Sequence, residues 1–172
     1  MSTELPGASP LDHAKRKFGF VPNAIREMAR SPSAAWAYLR GQEAMETGLL
    51  SEAERQAVQL AASVFNECRY CGAAHLAAAR HAGLSSDIAS PIAAGDLPLD
   101  HRIRSLVSAT WLVLDRRGHL TAEDLTGLES EGVSRAHLYE VVALIGLKTM
   151  MNYVNHMAHT EIDAVFTAAE TA

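Results

Sequence analysis

The sequence predicts an all-α protein of about seven to nine helices. Apolar residues make up 48% of the chain with alanine abundant, while aromatic residues make up only 6%. Runs of Val, Ile, Thr and aromatic residues, which are typical of strands, are few. A chain of 172 residues can bury a sizeable core, and we expect one domain over residues 1–172. Residues 1–10, rich in proline and small residues, are predicted to form a loose N-terminal leader.

Four helices are predicted before residue 66, each bounded by residues that start or stop helices. The first covers 11–18 and stops at Gly19, and the second runs from Pro22 to about residue 30. The dipeptide Ser31-Pro32 begins the third, which continues towards residue 48. Ser51 caps the fourth, with Glu54 three positions later completing a capping box. The apolar positions of this fourth helix recur at helical spacing: Ala57, Leu60, Ala61, Val64 and Phe65.

The next helix carries the only two cysteines of the chain. We expect Asn66 to end the fourth helix and to cap this one, with Glu67 and Cys68 in its first turn. The helix should run to about His81 and end at Gly83.

Four further helical segments are predicted from residue 85 onwards. They cover 85–95, where Pro91 interrupts the helix or marks a boundary, then 99–114 and 121–131. The last and longest helix is capped by Ser134 and continues beyond residue 154.

The two cysteines and one histidine form the most informative motif. Cys71 follows Cys68 by three residues and His75 follows Cys71 by four, so the three side chains share one face of a helix. A helix N-terminus lowers the pKa of a thiol, and His75 could accept its proton directly or through water. Attack of one thiolate on a hydroperoxide gives a sulfenic acid, which the second cysteine converts to a disulfide. The motif therefore predicts a dithiol–disulfide centre.

Two other interpretations of this motif remain open. Both cysteines could be buried helix residues of small volume with no chemical role. Alternatively, Cys68, Cys71 and His75 could bind a metal, with His156 or His159 as the fourth ligand. Three ligands on one helix make tetrahedral geometry awkward, so we favour the dithiol centre.

The segment from Leu50 through Gln56 to the cysteines and His75 resembles the core motif of the alkylhydroperoxidase D (AhpD) and carboxymuconolactone decarboxylase family. The resemblance is strongest over residues 50–80. Residues 20–23 and 152–156 resemble the peroxidase-related branch more weakly. The resemblance implies an AhpD-like helical fold that assembles as trimers or hexamers. It also implies peroxidase chemistry, with Cys71 as attacking thiol, Cys68 as resolving thiol and a dithiol protein as reductant.

The sequence departs from the family pattern at two positions. Gln56 stands where the family has the glutamate that begins its proton relay, and glutamine cannot ionise. Tyr70 stands where AhpD has a histidine, and a phenol titrates far above neutrality. We therefore assign Gln56, Tyr70 and His156 to a weakened proton relay or to the wall of the site. On this argument a Gln56→Glu variant should gain hydroperoxide turnover.

Composition narrows the range of partners. The net charge of −5 and the absence of a basic block argue against nucleic acid. No apolar stretch is long enough to predict a membrane span, and the N-terminus lacks the pattern of a signal peptide, so we expect a cytoplasmic protein. We expect neither an organic cofactor nor a metal.

The sequence thus predicts a thiol-dependent peroxidase of the alkylhydroperoxidase type with an antioxidant role. Its expected partners are a small hydroperoxide, a dithiol protein reductant and further copies of itself. The alternatives are a carboxymuconolactone decarboxylase-type lyase and a non-enzymatic redox or metal-binding module.

Overall fold

The computed structural model describes residues 8–167, and this part of the chain contains ten α-helices and no strand. The predicted all-α class is therefore confirmed. Eight helices have nine or more residues, while α2 and α10 are shorter. Their bounds are α1 Pro10–Phe18, α2 Asn23–Met28, α3 Pro32–Met45, α4 Glu52–Phe65, α5 Arg69–His81, α6 Ser86–Ala94, α7 His101–Arg116, α8 Ala122–Ser130, α9 Arg135–Ala158 and α10 Ala164–Thr167.

Helix termini follow the predicted capping residues closely. Ser51 and Glu54 form a reciprocal capping box at the start of α4, and Ser134 caps α9. Gly19 ends α1 with a φ of 79°, a left-handed conformation that glycine adopts readily. Of the predicted leader, residues 1–7 lie outside the described residues, whereas Ser9 already caps α1.

Two local predictions need correction. Asn66 closes α4 but does not cap α5. Glu67 adopts a left-handed φ of 56°, and this turn makes Cys68 the N-cap of α5. Pro91 lies inside α6 without ending it. A proline removes only one helical hydrogen bond, the one to the carbonyl of the residue four positions earlier, and that residue, Asp87, is exposed.

The helix α4 lies at the centre of the fold and contacts α5, α6, α7 and α9. Its buried face is rich in small side chains, which allow neighbouring helices to approach closely, and it includes the fully buried Ala57, Val58, Leu60, Ala61 and Ala62. Its neighbours α5 and α9 also contact each other. These three helices, with α3, position the side chains of the candidate site. Within residues 8–167, no helix combines the length and apolar character needed to cross a membrane.

Candidate functional site

The two cysteines lie at the start of α5 and are both reduced. The Cys68 sulfur accepts a hydrogen bond from the backbone N–H of Cys71 at 3.4 Å, so a thiol performs the N-cap role. Their side chains are also hydrogen-bonded to each other. Only 3% of Cys68 and 1% of Cys71 is exposed. The turn at Glu67 therefore brings both sulfurs together in a nearly closed site.

The surroundings of the two thiols give them different pKa values. The hydrogen bond from Cys68 lowers the pKa of Cys71 to about 6, against the effect of burial and with help from the positive charge of Lys148. Asn155 adds an N–H donor 3.1 Å from the Cys71 sulfur, and the Asn152 amide lowers the pKa of Cys71 by a smaller amount. The pKa of Cys68 is raised by its hydrogen bond to Cys71 and by burial. Cys71 is therefore the thiolate of the pair, and Cys68 is the thiol.

His75 is held between α4 and α9 by both ring nitrogens. Its Nδ1 lies 2.8 Å from Oε1 of Gln56, and its Nε2 contacts Nζ of Lys148. Because an amide oxygen only accepts, Nδ1 carries the hydrogen and Nε2 accepts from the lysine. Burial and the charge of Lys148 lower the pKa of His75, so the ring is neutral.

This arrangement changes the role expected for His75. We expected its imidazole to accept a proton from a cysteine, but neither ring nitrogen is free to do so here. Gln56, which the sequence assigned to a weakened relay or to the wall of the site, contacts His75 directly. A glutamine at this position fixes the tautomer of His75 without adding charge.

Lys148 was not predicted as a site residue. It is 1% exposed, and its Nζ also lies 3.3 Å from the hydroxyl of Tyr38 on α3. Burial lowers the pKa of Lys148, but Tyr38 and the Cys71 sulfur outweigh this effect and raise it. A sequence signal for this residue exists, because Lys148 shares the helical face of Val141, Leu144 and other buried residues of α9. A lysine at a core position of an amphipathic pattern is unusual.

Tyr70 forms part of the wall and anchors the C-terminal segment, which we define as residues 159–167. Its hydroxyl donates to Oδ2 of Asp163 at 2.5 Å and accepts from the backbone N–H of Ala24 at 3.3 Å. Asp163 also accepts from the backbone N–H of Asn23 at 3.1 Å. Burial and the hydrogen bond to Asp163 raise the pKa of Tyr70, so the phenol stays protonated at neutral pH.

A cavity of about 470 Å³ opens beside Cys68, between the start of α5, the end of α9 and the C-terminal segment. Cys68, Tyr70, Asn155 and His156 line it, together with residues 159–162. The exposed His156 contributes to the mouth of this cavity, and its ring lies 6.3 Å from that of Tyr153. Within residues 8–167, no group of three or more His, Cys, Asp or Glu side chains is placed to bind a metal ion.

Comparisons with known proteins agree with this architecture. The model of the carboxymuconolactone decarboxylase family matches residues 32–94, the span of α3 to α6 that includes Gln56, both cysteines and His75. The predicted resemblance to this family is confirmed over those residues. No curated protein matches the chain significantly.

Solved structures show the same AhpD-like fold over nearly the whole chain. An uncharacterized peroxidase-related protein from Silicibacter sp. TM1040 is 23% identical, with a TM-score of 0.79 over 95% of this chain and 92% of its own. A structure described as an alkylhydroperoxidase AhpD core, from Ralstonia eutropha JMP134, is 23% identical, with a TM-score of 0.80 over 91% of this chain and 84% of its own. The debrominase Bmp8 is 18% identical, with a TM-score of 0.76 over 93% of this chain and 87% of its own.

Proposed function

We propose that this protein is a thiol-dependent peroxidase that reduces hydroperoxides through a Cys68–Cys71 dithiol–disulfide cycle and has an antioxidant role. The observation that supports this proposal best is the unequal pair of thiols at the start of α5. The pKa of Cys71 is lowered to about 6, while the adjacent Cys68 stays protonated and lines the cavity. A thiolate beside a thiol is the arrangement that such a cycle requires.

The first half of the cycle oxidises the protein by two electrons. The Cys71 thiolate attacks the terminal oxygen of the hydroperoxide, a sulfur–oxygen bond forms and the oxygen–oxygen bond breaks. The alkoxide leaves and takes a proton from water, balancing the proton that Cys71 lost on ionisation. The Cys68 sulfur then attacks the Cys71 sulfenic acid, which releases water and leaves the disulfide.

Asn155 is suited to hold the hydroperoxide during the first step. Its Nδ2 donates to the Cys71 sulfur at 3.1 Å, whereas its Oδ1 is buried and has no hydrogen-bond partner among the described residues. A hydroperoxide O–H can donate to that oxygen, which would place the reacting oxygen next to the thiolate.

A dithiol protein then restores the reduced form. Its thiolate attacks the Cys68 sulfur, which lines the cavity, while Cys71 leaves. The second thiol of the reductant then attacks its own sulfur in this mixed disulfide, which releases Cys68 and leaves the disulfide on the reductant. Cys71 is the better leaving group because its thiol is the more acidic of the two. We place this cycle in the cytoplasm, where free dithiols persist. Neither a metal nor an organic cofactor takes part in these steps.

Thiol counting tests the proposal directly. One equivalent of an organic hydroperoxide should remove both thiols of the reduced protein and decrease its mass by two hydrogens. In a Cys68→Ser variant the reaction should stop at a sulfenic acid on Cys71, which a dimedone-type reagent traps. A Cys71→Ser variant should consume no hydroperoxide.

Two outcomes would contradict the proposal. Hydroperoxide turnover that survives replacement of both cysteines by serine would show that the dithiol is not the reactive centre. Unchanged thiols after hydroperoxide treatment, combined with turnover of a muconolactone, would favour the decarboxylase-type lyase instead.

We also propose that the protein forms a homo-oligomer, a trimer or a hexamer. The exposed face of α9 is apolar along much of its length and includes Tyr139, Val142, Tyr153 and Met157. Light scattering should give three or six times the mass of one chain, and the mass of a monomer or a dimer would exclude this part of the proposal.

A further inference from the structure

The buried face of α9 contributes two side chains to the cysteine site. The residues that they contact on α5 are one helical turn apart. Asn155 reaches the Cys71 sulfur at 3.1 Å, and Lys148 reaches His75 on the following turn of α5. Lys148 and Asn155 are seven residues apart on α9, so both side chains lie on the same face. The antiparallel pairing of these two helices therefore places an ammonium group one helical turn from the thiolate.

The surroundings of Lys148 hold it as a cation with no carboxylate beside it. Its Nζ bonds to the hydroxyl of Tyr38 and to Nε2 of His75, and none of the ion pairs between described residues includes it. The ionisable groups that face it are Tyr38 of α3 and, on α5, His75 and the two cysteines. A buried ammonium without a counter-charge is strongly unfavourable, so a negative group must offset it. The Cys71 sulfur is the group among these that can supply that charge.

Gln56 keeps the proton on the lysine. Its amide oxygen accepts from Nδ1 of His75, which leaves Nε2 with a lone pair directed at Nζ. A carboxylate in place of Gln56 would make His75 more basic and would allow the ring to compete for the proton of Lys148. The neutral amide therefore fits a site in which the lysine is the permanent cation, and the gain in turnover expected from the sequence for Gln56→Glu no longer follows.

We propose that Lys148 is a positioning residue for the dithiol, whose buried ammonium group supplies the positive charge that keeps the Cys71 sulfur in the thiolate form. The sequence suggested instead that the imidazole of His75 favours the thiolate by accepting its proton. Gln56 and His75 hold the ammonium group in place. The inference rests on the site of the proposed function, but it concerns the ionisation of Cys71 and does not depend on which substrate that sulfur attacks.

The test compares Lys148→Met with Lys148→Arg in a Cys68→Ser background, where Cys71 is the only thiol. Alkylation by iodoacetamide is followed as a function of pH, since its rate reports the thiolate fraction. Lys148→Met should move the midpoint of the Cys71 profile upward by at least about one unit. From a starting value of about 6, this shift should slow alkylation about twofold at pH 7 and roughly tenfold at pH values well below the midpoint. Lys148→Arg, which retains the charge, should restore most of the rate. Lys15→Met, on the exposed face of α1, is the matched control and should change nothing.

A folded Lys148→Met protein with an unchanged Cys71 profile would overturn the proposal, and so would a Lys148→Arg protein as impaired as Lys148→Met. If Lys148→Met does not fold, a Cys68→Ala/Asn155→Ala double variant decides the question with Lys148 intact. Removing the hydrogen bonds from Cys68 and Asn155 should leave the Cys71 midpoint below its ordinary value of 9.0, because the cation remains. A return to that ordinary value would also overturn the proposal. Alkylation reports the ionisation of Cys71 even if hydroperoxide is not the substrate. Failure of this inference can therefore be distinguished from failure of the proposed function.

Discussion

At the scale of single residues, the site depends on the ionisation of one sulfur. Hydrogen bonds from Cys68 and Asn155 and the charge of Lys148 all stabilise the Cys71 thiolate, and together they outweigh the opposing effect of burial. None of these groups is itself an anion. The hydrogen-bonding and charged side chains around Cys71 therefore all favour its charged form.

The first prediction concerns the pH dependence of this sulfur. Because the pKa of Cys71 is lowered to about 6, its reactivity should be nearly constant above neutral pH and should fall as the pH decreases through that value. Each unit below it should decrease the rate about tenfold. Stopped-flow measurement of the hydroperoxide reaction between acidic and neutral pH checks this, and a profile that still rises at alkaline pH would contradict it.

The second prediction places a negative charge beside the thiolate. Asn155→Asp exchanges the N–H donor at 3.1 Å from the Cys71 sulfur for a carboxylate oxygen. Repulsion should raise the pKa of Cys71 and slow hydroperoxide reduction at neutral pH by about tenfold or more. Asn155→Ala removes the donor without adding charge, so the midpoint of its Cys71 alkylation profile should rise less. Alkylation is the comparison because Asn155→Ala also removes the oxygen proposed to hold the hydroperoxide. Equal shifts of the midpoint in the two variants would show that charge is not the reason.

At the scale of helices and segments, access to the sulfurs depends on the C-terminal segment. Asp163 binds Tyr70 and the backbone of α2, and Phe166 on α10 packs edge-on against the Tyr70 ring at 6.0 Å. The segment thus closes one side of the cavity beside Cys68. Residues that hold it in place should control how easily a large reagent reaches that sulfur.

The third prediction follows from these contacts. Asp163→Ala removes the acceptor for both Tyr70 and the N–H of Asn23 and should loosen the segment. Alkylation of Cys68, measured in a Cys71→Ser background, should become several-fold faster. Asp87→Ala, an exposed change on α6, serves as the control and should leave the rate unaltered.

The same scale shows which parts of the site could be predicted from the sequence. Cys68, Cys71 and His75 lie within eight consecutive residues, and their spacing on one helix defined their common face. The contact between Gln56 and His75 joins two helices that are neighbours in sequence, α4 and α5. Lys148 and Asp163 reach the site over 73 and 93 residues of chain respectively, and such contacts depend on how distant helices pack. The cap at Cys68 was missed because a left-handed residue other than glycine, here Glu67, has little sequence signal.

At the scale of the whole molecule, one apolar cluster of the core is separate from the site. The apolar cluster formed by α4, α7, α8 and α9 includes Leu106 and Leu144, both fully buried, but neither cysteine. The cysteines belong to a different cluster, with residues of α2 and α3. Stability and reactivity should therefore respond to different substitutions.

The fourth prediction uses this separation. Leu106→Ala leaves a cavity in the core and should lower the free energy of unfolding by about 2–5 kcal/mol. The pH profile of Cys71 should stay unchanged under conditions in which the variant is folded. Leu99→Ala, at a position that is 90% exposed, is the control and should shift the unfolding free energy by no more than about 0.5 kcal/mol. Denaturant unfolding and alkylation rates measure the two properties independently.

The use of a thiol as helix cap has a consequence for the oxidised protein. In the disulfide the Cys68 sulfur is joined to that of Cys71 and has less freedom to turn its lone pairs toward the Cys71 amide. Disulfide formation should therefore weaken the hydrogen bond from this amide to the Cys68 sulfur, which now closes the first turn of α5. Hydrogen–deuterium exchange of the Cys71 amide should accordingly accelerate on oxidation, while amides in the middle of α5 keep their protection. A frayed helix end would then distinguish the oxidised protein from the reduced one.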